Sequence, residues 1–358
     1  MLTTLPAYCQ YLLSFALAAL VGVYAVRKII FITAKRKIFD IPDNIRKIHG
    51  EQIPSLGGIG IFIGYMAIAP FFVPLNFSGW NYIIISSVIL FFTGVYDDIM
   101  NMRPSKKLLA QLAATAITVY FADIRITSLY GTFGIHELPF PVSVLLTTFC
   151  GTFFINVFNF IDGIDGLACM MSLLYTTLFG LLMAFSNETA TACIAFSLTG
   201  ATAGLLFFNY PPAKIYMGDT GSMLLGFSIF LLSLLFIRSS ASHIIYHIHD
   251  AFGGQSALRL VIAVFFLPVF DALRVFVLRA VKGISPLKAD RRHLHYYLLD
   301  AGISHAVITW LFAAVNCSSI FLCLLFINSP IWLVMAFMAL PSALLATGAG
   351  ILQRKAGV

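Results

Sequence analysis

The sequence predicts an all-α, polytopic membrane bundle of about eleven transmembrane helices, on three observations. Hydrophobic residues make up 60% of the 358, and charged residues only 10%, where a soluble chain carries roughly a quarter. Mean hydropathy is +0.93. The apolar residues also fall in continuous runs of spanning-helix length, not in the short alternating strands of a membrane β-barrel.

In chain order the runs cover about 8–33, 57–75, 80–96, 108–122, 140–158, 167–186, 190–208, 220–237, 258–278, 306–327 and 331–350. The first has no basic residue before it, and Lys35, Arg36 and Lys37 after it. It therefore reads as a first helix with its N-terminus outside, not as a cleavable signal. Alternate loops then differ in charge. One set holds Lys35–Lys37, Arg46, Lys47, Arg103, Lys106, Lys107, Lys214, Arg279, Lys282, Lys288, Arg291 and Arg292, with Arg354 and Lys355 in the tail. The other holds Arg125, Arg238 and Arg259. The positive-inside rule makes the first set, and the C-terminus, cytoplasmic. With no internal repeat, linker or soluble stretch, residues 1–358 read as one transmembrane domain. The net charge of +7 borders the spans, so it suits topology and lipid headgroups, not nucleic acid. The six cysteines lie in or beside apolar runs without a CxxC pair, as small apolar residues do.

Only 15 residues are Asp or Glu, so the acidic clusters stand out. Asp97-Asp98 ends one run and is followed by Lys107 and Gln111, which share a helix face at i, i+4. Adjacent carboxylates can share a divalent cation, or one can act as a base; a solvated helix junction is the bland alternative. Asn156, Asn159 and Asp162 recur at i, i+3 before Gly163-Ile164-Asp165-Gly166. Amides and carboxylates reaching into an apolar span are costly unless they face a polar cavity, although a turn with capping Asp residues would also place them. Gly218-Asp219-Thr220-Gly221 opens the next run after Tyr216, and its Asp219 suits either Mg²⁺ or an N-cap. Asp290, Arg291, Arg292, His293 and His295 form a dense cationic loop. Such a loop fits a phosphate better than a metal, or simply cytoplasmic loop charge. The predicted topology brings all four clusters to one membrane face.

Two features compete. His243, His247, His249 and Asp250 resemble a metal site but fall in a loop predicted outside, so a surface segment is preferred. Asp271, within the ninth run after Pro268, is either a structural partner of Arg274 at i+3 or a residue of the cleft.

Together with Asp40-Ile41-Pro42, Arg46-Lys47-Ile48-His49 and Pro54-Ser55-Leu56-Gly57-Gly58, these clusters resemble the polyprenyl-phosphate N-acetylhexosamine-1-phosphate transferases, glycosyltransferase family 4. The likeness runs from Asp40 to Gly302. It is closest to the bacterial undecaprenyl-phosphate GlcNAc-1-phosphate branch, because the phospho-MurNAc-pentapeptide branch favours consecutive histidines in the basic loop. The resemblance implies catalytic roles for Asp97, Asp98 and Asp219, with Asp97 the candidate base. It implies Asp219 and Asp98 as metal ligands for Mg²⁺, with Mn²⁺ the alternative. Lys107 would hold a phosphate, and Asn156, Asn159, Asp162 and Asp165 would line the nucleotide cleft. Tyr216 would stack on uracil, and Asp290, Arg292, His293 and His295 would contact the diphosphate and sugar. Two departures stand against the family pattern, Asn101 in place of a third Asp and Tyr296 in place of a further His.

The expected reaction transfers GlcNAc-1-phosphate from UDP-GlcNAc to undecaprenyl phosphate and releases UMP, the first membrane step of a cell-envelope polysaccharide. It would run at the cytoplasmic face of a bacterial inner membrane. The alternatives are another UDP-N-acetylhexosamine, UDP-MurNAc-pentapeptide as donor or, in another class, a transporter. A homodimer is left open.

Overall fold

The computed structural model describes residues 2–36, 53–241, 254–283 and 291–355. Asp290, the His243–Asp250 cluster and the motifs at Asp40 and Arg46 lie outside the described residues. Helices make up most of the described length, with one isolated antiparallel bridge between Ser128 and Glu137. Lipid offers no partner for backbone groups, so each segment must satisfy its own.

A helix occupies each of the eleven apolar runs. These are α1 (Ala7–Arg36), α2 (Gly57–Ile68), α3 (Trp80–Met100), α4 (Pro104–Phe121), α5 (Phe140–Ile161), α6 (Leu167–Phe185), α7 (Thr189–Asn209), α8 (Gly218–Ala241), α9 (Gly254–Val281), α11 (His305–Leu325) and α12 (Ile331–Lys355). A short α10 (Leu294–Asp300) lies between α9 and α11. Among the described residues, nine helices are long and apolar enough to cross a membrane. The two others are α4 and α2. The second run was expected to reach residue 75, but α2 stops at Ile68 and a 3₁₀ turn carries on to Phe71. Pro70 lies in that turn and Pro74 just beyond, and each removes a backbone donor.

α8 is the axis of the bundle. Its spanning window is wholly buried, and it packs against α2, α3, α5, α6, α7 and α9. Close approach to α2 depends on Gly58, where a Cβ would lie 2.0 Å from the Gly221 nitrogen. α9 carries Pro268 in its interior, which leaves the Val264 carbonyl without its helical N–H. The Asn316 amide of α11 donates to that carbonyl at 3.1 Å, and Tyr175 Oη of α6 donates to Asn316 Oδ1 at 3.2 Å. Arg259 near the start of α9 donates to the carbonyls of Ile327 and Ser329 beyond α11. These buried polar contacts fix α9 against α6, α11 and the α11–α12 turn.

Candidate active site

The site begins at the end of α3. Asn101 closes that helix at φ +52° while its N–H still bonds to the Asp97 carbonyl. A left-handed residue disfavours most side chains, and Asn is one of the few that adopt it readily. This turn aims the Met102 N–H at Asp97 Oδ1, 2.6 Å away. The departure from the family's third Asp therefore sits at a helix terminator.

One turn into α4, Lys107 Nζ lies 3.0 Å from Asp97 Oδ2 and 2.7 Å from Asp219 Oδ1. Asp219 stands in the first turn of α8. The Asn159 amide of α5 donates to Asp219 Oδ1, and to Ser222 Oγ at 2.8 Å. Thus α3, α4, α5 and α8 each deliver one polar side chain to a single point, and 122 residues of chain separate the outermost two, Asp97 and Asp219. The i, i+4 partner of Lys107, Gln111, reaches the next layer down. Asn156 Nδ2 donates to Gln111 Oε1 at 2.7 Å and to the Thr152 carbonyl at 2.8 Å. Asn156 therefore braces α4 against α5 below the carboxylates.

Asp98 was expected at the metal. In this structure its oxygens accept the Asp219 N–H at 2.7 Å, the Thr220 N–H at 3.0 Å and the Thr220 hydroxyl at 2.5 Å. Helix N-termini present unpaired N–H groups and a positive dipole end. Asp98 thus caps α8 from another helix and holds Asp219 in place.

The α5–α6 turn supplies Asp162 and Asp165. Withdrawal from water, and then the charge of Asp219, push the Asp162 carboxyl up to about 7, against a bond from the Gly218 backbone that lowers it. Asp162 is therefore beside the first turn of α8. Asp165 faces elsewhere: its Oδ2 accepts the Ala213 N–H at 3.1 Å, and its Oδ1 lies 3.4 Å from His305 Nδ1 at the start of α11. Asn209 supports this turn by accepting the Gly166 N–H at 3.1 Å and donating to the Ile215 carbonyl at 2.8 Å. The half-buried Tyr216 is held by its backbone, which pairs with Pro54 and Gly57.

The basic loop arrives from the other side. His293 and His295 are buried, with parallel rings 5.7 Å apart. His295 lies against Gly163, where a Cβ would come within 2.3 Å of its Nε2. Gly163 therefore allows the acidic turn and the basic loop to touch. Burial, and then neighbouring His293, drive His295 down to about 3, so its imidazole is neutral at physiological pH. Tyr296 replaces the family's further His here, with Arg291 5.2 Å above its ring.

Sequence reasoning named Asp97, Lys107, Asn159 and Asp219, which the fold brings into contact. It also named Asn156, which here contacts Gln111, and Asp165, which contacts Ala213 and His305. It assigned no role to Ser222, Asn209 or His305. Asn209 had a readable signal, a lone amide at the end of an apolar run.

The profile "Glycosyl transferase family 4" matches residues 80–237, the segment from α3 to α8 that contains the carboxylate centre. A decaprenyl-phosphate N-acetylglucosaminephosphotransferase of Mycolicibacterium smegmatis is 31% identical over 279 residues, 73% of this chain and 68% of the relative. The chain belongs to glycosyl transferase family 4. An undecaprenyl-phosphate alpha-N-acetylglucosaminyl 1-phosphate transferase of Salmonella typhi is 29% identical over 301 residues, covering 81% of this chain and 78% of that protein. Membership bears out the resemblance carried by the acidic and basic motifs, and with it a multi-pass membrane enzyme.

Proposed function

We propose that this enzyme transfers N-acetylglucosamine-1-phosphate from UDP-GlcNAc to undecaprenyl phosphate, giving undecaprenyl-diphospho-GlcNAc and UMP at the cytoplasmic face. The observation that carries the reading is the meeting of Asp97, Lys107, Asn159 and Asp219 from four helices, in a chain whose relatives are named as N-acetylglucosamine-phosphate transferases acting on decaprenyl or undecaprenyl phosphate.

An oxygen of the acceptor phosphate attacks the sugar-proximal phosphorus in line. The bond to the distal phosphate breaks, and its electron pair leaves with UMP. The phosphate monoester titrates near pH 6, so at neutral pH it attacks largely as the dianion; Asp97 is the candidate proton acceptor for the monoanion. Lys107 is the cation placed to meet a phosphate, and Asn159 and Asp98 hold Asp219 from its side chain and its backbone. Arg292, His293 and His295 would face the diphosphate and sugar. Leu109, Leu145 and Phe149 of α4 and α5 point outward, so a prenyl tail can stay in lipid while its phosphate enters.

The residues fit Mg²⁺, with Mn²⁺ the alternative. Asp97 and Asp219 converge on one point, at Lys107. Mg²⁺ is usually held in this way, by one or two carboxylates plus substrate phosphates. Asp219 would hold it, and when bound it supplies neutralisation of the diphosphate as UMP departs.

The test is UMP release from membranes given undecaprenyl phosphate, Mg²⁺ and each UDP-N-acetylhexosamine in turn. Release is expected with UDP-GlcNAc, and Asp219→Ala should abolish it without loss of folded protein. Substantial Mg²⁺-dependent turnover in that variant would overturn the metal assignment, and release only with another sugar would overturn the donor.

A further inference from the structure

The reaction as proposed needs His293 and His295 in fixed positions, yet both lie on a seven-residue helix and the loop before it. Within the described residues, Asp271, an aspartate inside the α9 span, holds His293 and the start of that helix. Asp271 Oδ2 lies 2.9 Å from His293 Nδ1. Its two oxygens accept the Leu294 N–H, the first of α10, at 3.2 and 3.3 Å. Oδ1 also takes Arg274 Nη2 at 2.8 Å and Nε at 3.1 Å. Arg274 Nη2 in turn donates to the Arg292 carbonyl at 2.5 Å, and its guanidinium lies 5.1 Å above the Tyr297 ring. Asp271 is buried, and a buried carboxylate needs such donors.

We propose that Asp271 is a positioning residue: from within α9 it fixes the ring of His293 and the start of α10, and so sets the basic loop against the Asp162 turn. Two features give it this reach. As an acceptor, it takes the proton-bearing Nδ1 of His293, which leaves Nε2 as the atom that meets a ligand. Phe160, at the end of α5, stacks on that ring at 5.4 Å. The position of His293 then propagates, because His295 stacks parallel to it and rests on Gly163. The aspartate itself sits on a braced stretch of α9. It lies one turn past Pro268, where Asn316 takes up the Val264 carbonyl and ties α9 to α11. The donor pocket is thus referenced to the membrane core, not to a cytoplasmic loop.

This inference rests on the proposed transfer, so its test has one arm that does not depend on activity. In the purified full-length protein, amide hydrogen exchange of residues 291–300 should rise in Asp271→Ala, with α3 and α8 unchanged. In the active enzyme, Asp271→Asn should raise the donor KM about tenfold, the scale seen when a histidine loses its orienting partner. The KM for undecaprenyl phosphate should stay put. His293→Gln should produce a similar donor defect, and the double variant should be no worse than His293→Gln alone, because coupled residues are not additive. Arg274→Gln, which loosens the same loop from its other tether, serves if the Asp271 variants do not fold. Unchanged exchange, additive losses or equal rises in both KM values would overturn the proposal. If wild-type membranes release no UMP with any donor, the transfer reading fails, and the exchange arm still decides whether Asp271 anchors the loop.

Discussion

Asp162 is withdrawn from water beside the charge of Asp219, and this has a measurable consequence. Its carboxyl is moved from an ordinary 3.8 to about 7, so the folded protein binds more protons there than the unfolded chain across that interval. Stability therefore falls as pH rises from about 4 to about 7, since the slope follows the difference in bound protons. In Mg²⁺-free detergent solution, the melting temperature of the wild type should decline over this window. Asp162→Asn should flatten the decline and melt higher at pH 8. An unchanged profile would show that Asp162 does not carry this charge conflict. Mg²⁺ should relieve the same conflict by neutralising Asp219. His295 behaves in the opposite sense: it is held neutral by its surroundings, so it can accept or donate a hydrogen bond but adds no charge near neutral pH.

At the level of elements, the site depends on how closely helices meet α8. The i, i+4 and i, i+3 spacings correctly placed Lys107 over Gln111 and Asn156 over Asn159, because those relations lie within one helix. They could not show that Asn156 would turn to Gln111 on α4 while Asn159 turned to Asp219 on α8. Helix contact at Gly58 sets part of that arrangement. A Cβ there would meet the Gly221 nitrogen and Cα, at 2.0 and 2.5 Å, and backbone cannot rotate aside as a side chain can. Gly58→Ala should therefore cost about 1–3 kcal/mol through overpacking and lower the melting temperature. It should also reduce turnover by displacing the first turn of α8. A variant as stable and active as wild type would mean that α2 moves freely. Asp98 follows the same logic, since a carboxylate written next to Asp97 in sequence serves another helix's N-terminus in the fold.

For the whole molecule, the carboxylate centre and the basic loop meet at one end of the bundle, at the ends of α3, α5 and α8 and beside α10. A transporter would place its coupling residues near the midplane, where repeats meet. The buried polar contacts among Tyr175, Asn316 and Val264 instead serve the proline in α9. The sided arrangement predicts sided labelling. With native cysteines replaced, Lys214→Cys, exposed between α7 and α8, should react with an impermeant maleimide only from the cytoplasm. His136→Cys, in the loop between α4 and α5, should react only from outside. The reverse pattern would invert the topology, and labelling of Lys214→Cys from both sides would reopen the transport reading.

The sequence by itself determined the membrane class, the positions of the apolar helices, the family and most of the residues that meet at the centre. Hydropathy and short polar motifs are local properties, and in lipid a run of apolar residues has little choice but to be a helix. Tertiary structure alone decided the division of labour. Asp97 and Asp219 share Lys107, while Asp98 caps α8. Asn159 holds Asp219, while Asn156 braces a helix pair, and Asp271 reaches the basic loop instead of ending as a simple i, i+3 partner of Arg274. Each of those choices depends on which face of one helix meets another, and that is set by packing between segments far apart in the chain.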